Sequence, residues 1–320
     1  MTITDLKIDV AAEVGTILSS SFSISLTETA SVPHSTDGAI TFPNLDAKSQ
    51  GVKVVKTTVL YVDMRRSTEL SLKHHPHTVA KLYSAFVRAM TRCADHFGGH
   101  VRGIIGDRVM IIFDQENCYE HAVNTAVLIN SVCQYVINSH FTHGEVSFGI
   151  GIDYGRMLAT KTGVYRRGSA QQSYRSLVWL GRPANVASKL TDNANKPEET
   201  YEMTWVKAAF EGSLLGGSGL RYERIAPHNF VKQFGSRNSI GTMPHQNPTF
   251  HSFSVETESV VLKSATPPIL MSKRVYDGYR AACPSSQEIV SEWYKLIAHS
   301  FPDVPDQVYG GDVIYTTFTI

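Results

Sequence analysis

Residues 52–62 read VKVVKTTVLYV and run directly into Asp63. Toward its end the run is β-branched and apolar on both faces, the pattern of a central strand covered on both sides. Such a strand lies inside a sheet, so the segments after it have to supply its neighbours and its cover.

They do so in a readable order. Over 76–97, Val79, Leu82, Tyr83, Phe86, Val87, Met90 and Phe97 fall at three- and four-residue steps, which predicts an amphipathic helix stopped by Gly98-Gly99. The stretch HVRGII, Gly106-Asp107, RVMIIF predicts a hairpin with a two-residue turn. A second helix is expected at about 117–138. In EVSFGIGID, Val146, Phe148, Ile150 and Ile152 alternate onto one face of a strand. Strand-like runs follow at 156–162 and 175–180, and Pro183 opens a helix to about 193. The fold class read from this order is α+β: an α/β sandwich with a mostly antiparallel sheet, a βαββαβ core and helices on one face.

Around that core, residues 1–51 are expected to form an N-terminal arm or linker containing a short helix within 1–22. Residues 52–256 are expected to form the catalytic domain, with 201–256 adding strands and turns. Residues 257–320 read as a C-terminal extension with helix-like stretches at 272–282 and 286–299.

Composition narrows the function. Of 320 residues, 42% are hydrophobic and 18% charged, and 30 basic residues face 29 acidic ones. A chain this balanced has no basic excess for a nucleic acid, so a small-molecule substrate is expected. Cys93, Cys118, Cys133 and Cys283 form no CxxC pair, which argues against structural zinc and fits buried thiols in a reducing compartment. No apolar run has membrane-spanning length. Asp5, Asp9 and Glu13 interrupt any signal-like apolar core at the start. A cytoplasmic protein with no membrane partner is expected.

Two carboxylates stand out. Asp63 closes the central strand and Asp107 sits in the hairpin turn, so adjacent antiparallel strands would bring both to one sheet edge. Two carboxylates with hydroxyl and backbone groups nearby, including the Met64 carbonyl, make a hard oxygen site of the kind Mg²⁺ or Mn²⁺ prefers. Taken singly, each aspartate also suits a turn or helix cap, as Ser67 and Thr68 do.

Four segments together resemble the class III adenylyl and guanylyl cyclases: VLYVDMRRST (59–68), GGHVRGIIGDRVMIIF (98–113), FGIGIDYGRMLATKTG (148–163) and LGRPANVASKL (180–190). The resemblance implies that Asp63 and Asp107 hold two Mn²⁺ or Mg²⁺ ions per site and that Asn185 orients the ribose. It places Lys189 where the family has an arginine on the α-phosphate, keeping the charge but losing the bidentate fork. Lys232, in FVKQFG, falls where the family has a lysine for the terminal phosphates. Each lysine also fits an ordinary solvated surface position. In the family the metal aspartates and the Asn/basic pair come from different protomers, which implies a homodimer with composite sites.

Adenylyl cyclases carry a lysine where this chain has Gly103, and an Asp or Thr where it has Val178. The guanine-reading pair is absent as well. Without polar side chains there, purine edges would go unpaired. In this the chain is similar to the pyrimidine cyclases of the Pycsar anti-phage systems. That resemblance implies cyclic UMP or cyclic CMP as product; UTP is favoured over CTP because uracil presents two carbonyl acceptors, with ATP a further alternative. Arg102, Arg166 and Arg167 are arginine donors suited to the uracil carbonyls. A degenerate nucleotide-binding module is the competing class, although intact Asp63, Asp107 and Asn185 argue against it. A diguanylate cyclase is disfavoured because the turn reads Ile-Gly-Asp-Arg.

Overall fold

The computed structural model of the protein describes residues 2–163, 177–214, 217–236, 241, 243–298, 301–302 and 304–319. The chain divides into two compact units, Met1–Lys196 with Thr266–Ile320, and Pro197–Ala265. The larger unit begins with α1 (Ile3–Ile17), β1 (Ser23–Thr29), β2 (Ser49–Met64), α2 (Ser67–Lys73) and α3 (Pro76–His96). It continues through β3 (Gly99–Ile105), β4 (Arg108–Phe113), α4 (Cys118–Val132), a π-helical turn at Cys133–Ile137 and α5 (Asn138–His140). Then come β5 (Phe148–Thr160), β6 (Val178–Leu180) and α6 (Arg182–Asn193). The smaller unit holds β7 (Glu199–Leu214), β8 (Gly217–Ile225), α7 (Pro227–Val231) and β9 (Phe250–Lys263). The chain returns to the larger unit with β10 (Ile269–Ser272), α8 (Lys273–Ala282), α9 (Gln287–Val290), β11 (Lys295–Leu296) and β12 (Val308–Gly311).

Among the described residues, nine strands of the larger unit form one sheet in the order β11-β12-β10-β5-β2-β4-β3, with β1 added to β2 and β6 to β5. The sheet is mostly antiparallel, as expected; β1–β2 and β5–β10 are its parallel pairs. β2 is central and covered on both sides, with Val55, Val59, Leu60 and Val62 fully buried. Leu60, Val62, Ile111, Phe113, Ile150 and Ile152 share one core with Phe86 and Met90 of α3 and Ala126 of α4. Phe86 stacks on Phe148 at 5.3 Å between ring centroids.

The alternate residues of the same strands face the other way. Val55, Val59, Ile112 and Met157 pack with Ala184 and Ala187 of α6. The helix layer expected on one face is therefore joined by α6 on the opposite face. The reason is the residue between Ile150 and Ile152: a Cβ at Gly151 would run into the Ala187 carbonyl and the Thr191 backbone nitrogen. Only a glycine lets α6 lie this close to β5. Gly151→Ala should lower stability by about 2 kcal/mol, since backbone cannot yield as a side-chain tip can. Urea unfolding checks this; an unchanged midpoint would mean that α6 shifts at no cost.

Two expectations about the C-terminal region change. Residues 257–320 are not an appendage, because β10 pairs with β5 and carries β12 and β11 beyond it. The helix expected over 286–299 is a single turn, α9. Glu292 takes a positive φ of 50°, which ends it, and Tyr294 turns inward to be almost fully buried. Residues 201–256 likewise do not complete the larger sheet. β7, β8 and β9 form a separate three-stranded sheet with a core of Val206, Ala208, Phe210 and Phe230. The expected boundary at 256 falls inside β9.

One carboxylate is buried away from the strand-end pair. Asp153 on β5 is fully buried, and neither of its oxygens has a hydrogen-bond partner of good geometry. Burial pushes its carboxyl above the usual range; the Ser272 hydroxyl and the Arg182 charge offset only part of that. A folded-state pKa above the unfolded one favours folding while the group is protonated, and that advantage is lost as pH rises through the raised value. Wild-type melting temperature should therefore decline from about pH 4 toward pH 7 relative to Asp153→Asn, whose stability lacks this slope. Parallel curves for the two proteins across that window would contradict the assignment.

Candidate active site

The site begins where β2 ends. β2 and β4 pair antiparallel with Val62 opposite Val109, which puts Asp63 across from Arg108 and next to the turn that carries Asp107. Gly106, with φ 62°, makes that turn possible. Asp63 and Asp107 thus meet at one sheet edge, as the sequence predicts. Burial raises the Asp107 carboxyl above its usual range, and the neighbouring Asp63 charge adds to the rise. The Ser67 hydroxyl at the start of α2 bonds the same carboxyl and opposes it. Asp107 Oδ2 is buried and has no hydrogen-bond partner.

That oxygen and the proximity of two carboxylates are the features that suit a divalent cation. Among the described residues, no group of three or more His, Cys, Asp or Glu gathers to hold a metal. The protein thus offers two carboxylates, leaving further positions for backbone, water or phosphate oxygens, the pattern expected for Mg²⁺ or Mn²⁺. Met64, the last residue of β2, buries its side chain in the main core, so its backbone is what stands at the strand end.

Four further residues enter the site that no sequence motif marks: Arg108, Ser188, Asp192 and Arg65. Arg108 Nη2 donates to Asp63 Oδ2 at 2.6 Å and also to Asp192 Oδ1, while Nη1 donates to Ser188 Oγ at 2.7 Å. The signals were present. Arg108 directly follows the second aspartate, and Ser188 and Asp192 lie three and seven residues after Asn185 on one face of α6. Arg65 adds a second guanidinium. Its backbone N–H donates to the Ser147 carbonyl at 2.8 Å, and its side chain donates to the Thr191 carbonyl in the last turn of α6. A Cβ at Gly149, the β5 partner of Asp63, would overlap that guanidinium.

The other expected residues lie as follows. Asn185 is exposed near the start of α6, and Lys189 is half-buried one turn later. Gly103 lies on β3 just past a bulge at Arg102, where an added Cβ would meet Met110 at 3.4 Å. Arg102 has a buried Nε without a hydrogen-bond partner. Val178 opens β6 opposite Thr160 and is half-buried. Lys232 is exposed at the end of α7 and belongs to the smaller unit rather than to the unit holding the aspartates. Arg166 and Arg167 lie outside the described residues.

Residues 50–200 match the adenylate and guanylate cyclase catalytic domain. A uridylate cyclase of Burkholderia cepacia is 31% identical over 176 residues, covering 53% of this chain and 71% of that protein. One of Propioniciclava tarda is 27% identical over 150 residues, covering 45% of this chain and 47% of that protein, so the chain spans about half of that relative. The crystal structure of the adenylyl cyclase CyaB from P. aeruginosa aligns at a TM-score of 0.45 and 15% identity, over 81% of this chain and 94% of that one. With the catalytic-domain match over residues 50–200 and a 31% identical relative covered over 71% of its length, the chain belongs to the class III nucleotidyl cyclase family.

Proposed function

We propose that this chain converts UTP to 3′,5′-cyclic UMP and pyrophosphate. The observation that carries the cyclase chemistry is the Asp63/Asp107 pair, with Asp107 Oδ2 buried and unpartnered. Two Mn²⁺ or Mg²⁺ ions, when bound, would make the ribose 3′-hydroxyl more acidic and neutralise the triphosphate. Asp63, Asp107 and the Met64 carbonyl are the groups that would hold them. Asn185 orients the ribose so that the 3′-oxygen lies in line with the α-phosphorus. The new bond joins that oxygen to the phosphorus as its proton passes to water, the bond to the β-phosphate oxygen breaks, and pyrophosphate leaves. Lys189 stabilises charge on the α-phosphate and Lys232 binds the terminal phosphates. Nucleophile and electrophile sit in one molecule, so positioning and electrostatics supply most of the acceleration.

The choice of base rests on Gly103, Val178 and Arg102, and on the names of the relatives. Neither Gly103 nor Val178 offers a side-chain donor or acceptor to a purine edge. The buried, unpartnered Nε of Arg102 is a donor suited to a uracil carbonyl. No helix among the described residues is long and apolar enough to cross a membrane. A cytoplasmic homodimer making a second messenger for anti-phage defence is the setting we infer. The test offers ATP, GTP, CTP and UTP together at equal concentration with Mn²⁺ and resolves products by mass spectrometry. Cyclic UMP as the main product is expected; cyclic CMP or cyclic AMP as the main product would overturn the base assignment.

A further inference from the structure

The Arg108 cluster has no place in the scheme above. One guanidinium spans three acceptors from two elements: Asp63 Oδ2 at 2.6 Å, Ser188 Oγ at 2.7 Å, and Asp192 Oδ1. Asp63 is the more enclosed carboxylate, with its side chain 15% exposed against 53% for Asp192. Asp63 Oδ2 is thus bonded to a fixed cation of the protein itself. A guanidinium and a divalent cation seek the same oxygen lone pairs, and both cannot have full use of them.

The partners on α6 settle where Arg108 can go. Asp192 and Ser188 are one helical turn apart and bind two different nitrogens of the same guanidinium. They can keep Arg108 in place after it lets go of Asp63, so withdrawal does not strand a half-buried charge. A lysine could not hold three acceptors in this way; the arginine fork can.

We propose that Arg108 is a gating cation for the metal site, and that Asp192 with Ser188 forms the anchor to which it withdraws when a divalent ion takes Asp63. This rests on the reading of Asp63 as a metal carboxylate. Metal affinity is then set by competition: Arg108 opposes the ion, and Asp192 favours it by drawing Arg108 off. The two residues act in opposite directions through one contact.

The test is Mn²⁺ binding to the purified full chain without nucleotide, followed by loss of the free-ion electron paramagnetic resonance signal. Arg108→Met should tighten Mn²⁺ binding about tenfold, the scale of one charge-assisted hydrogen bond. Asp192→Asn should weaken it about fivefold, the scale of an exposed ion pair. In the double variant the Asp192→Asn effect should vanish, because it acts only through Arg108. Arg108→Gln, which keeps a polar, hydrogen-bonding side chain but removes the charge, should tighten binding as Arg108→Met does and guards against a folding artefact. Unchanged or weaker binding in both Arg108 variants, or an Asp192→Asn effect that persists without Arg108, would overturn the proposal. Asp63→Asn separates the two readings: if it leaves Mn²⁺ binding intact, the metal reading fails rather than the gate.

Discussion

Alanine at Asp63 or at Asp107 should cut cyclic nucleotide formation by at least about a thousandfold, because each removes half of the carboxylate pair that holds the reaction's charge. The fold should survive both changes. Asp63→Ala leaves Arg108 with Ser188 and Asp192 as acceptors. Asp107→Ala removes a turn carboxyl whose Oδ2 has no hydrogen-bond partner, so its loss leaves no partner of that oxygen unpaired. Circular dichroism and a thermal melt establish that the variants fold, and product is read by mass spectrometry. Near-full turnover by either folded variant would remove it from the site.

The second large effect concerns assembly. Asp63→Ala and Asn185→Ala should each be inactive alone. Mixed after a brief unfolding and refolding, they should recover about a quarter of wild-type activity, since half of the dimers are mixed and each mixed dimer has one intact composite site. Asn185 is exposed near the start of α6, one face of which also carries Ser188 and Asp192. No recovery on mixing, with both variants folded, would mean that the two residues serve one site within a chain.

Much of the larger unit is legible because its signals are local. The β-branched run of β2, the apolar steps of α3, the Gly106-Asp107 turn and the alternation in β5 each fix an element without reference to the rest. The strand-end aspartates follow from that order, since a central strand and the next hairpin place Asp63 and Asp107 together. What the sequence does not display is long-range pairing. β10 is four residues long, and nothing within it says that it joins β5 across the intervening residues of the smaller unit. The same holds for the separate sheet of β7, β8 and β9, whose strand patterns suit either an extension of the main sheet or a unit of their own.

The site shows the same division. Asp63, Asp107, Asn185 and Lys189 are visible as motif positions. Arg108, Ser188 and Asp192 become visible only once register places Arg108 opposite Asp63 and α6 is laid on the far face of the sheet, where Gly151 admits it. A charged residue after a turn aspartate is ordinarily read as solvated, and only a three-dimensional neighbour changes that.

Cyclase activity in this chain should depend on Asp63 and Asp107. Incubating wild type and Asp107→Ala side by side with UTP and Mn²⁺, and following phosphorus resonances, tests it most directly. A cyclic monophosphate and pyrophosphate should appear in equal amounts with wild type and neither with the variant. UTP left intact by folded wild-type protein, or the same products from Asp107→Ala, would contradict it.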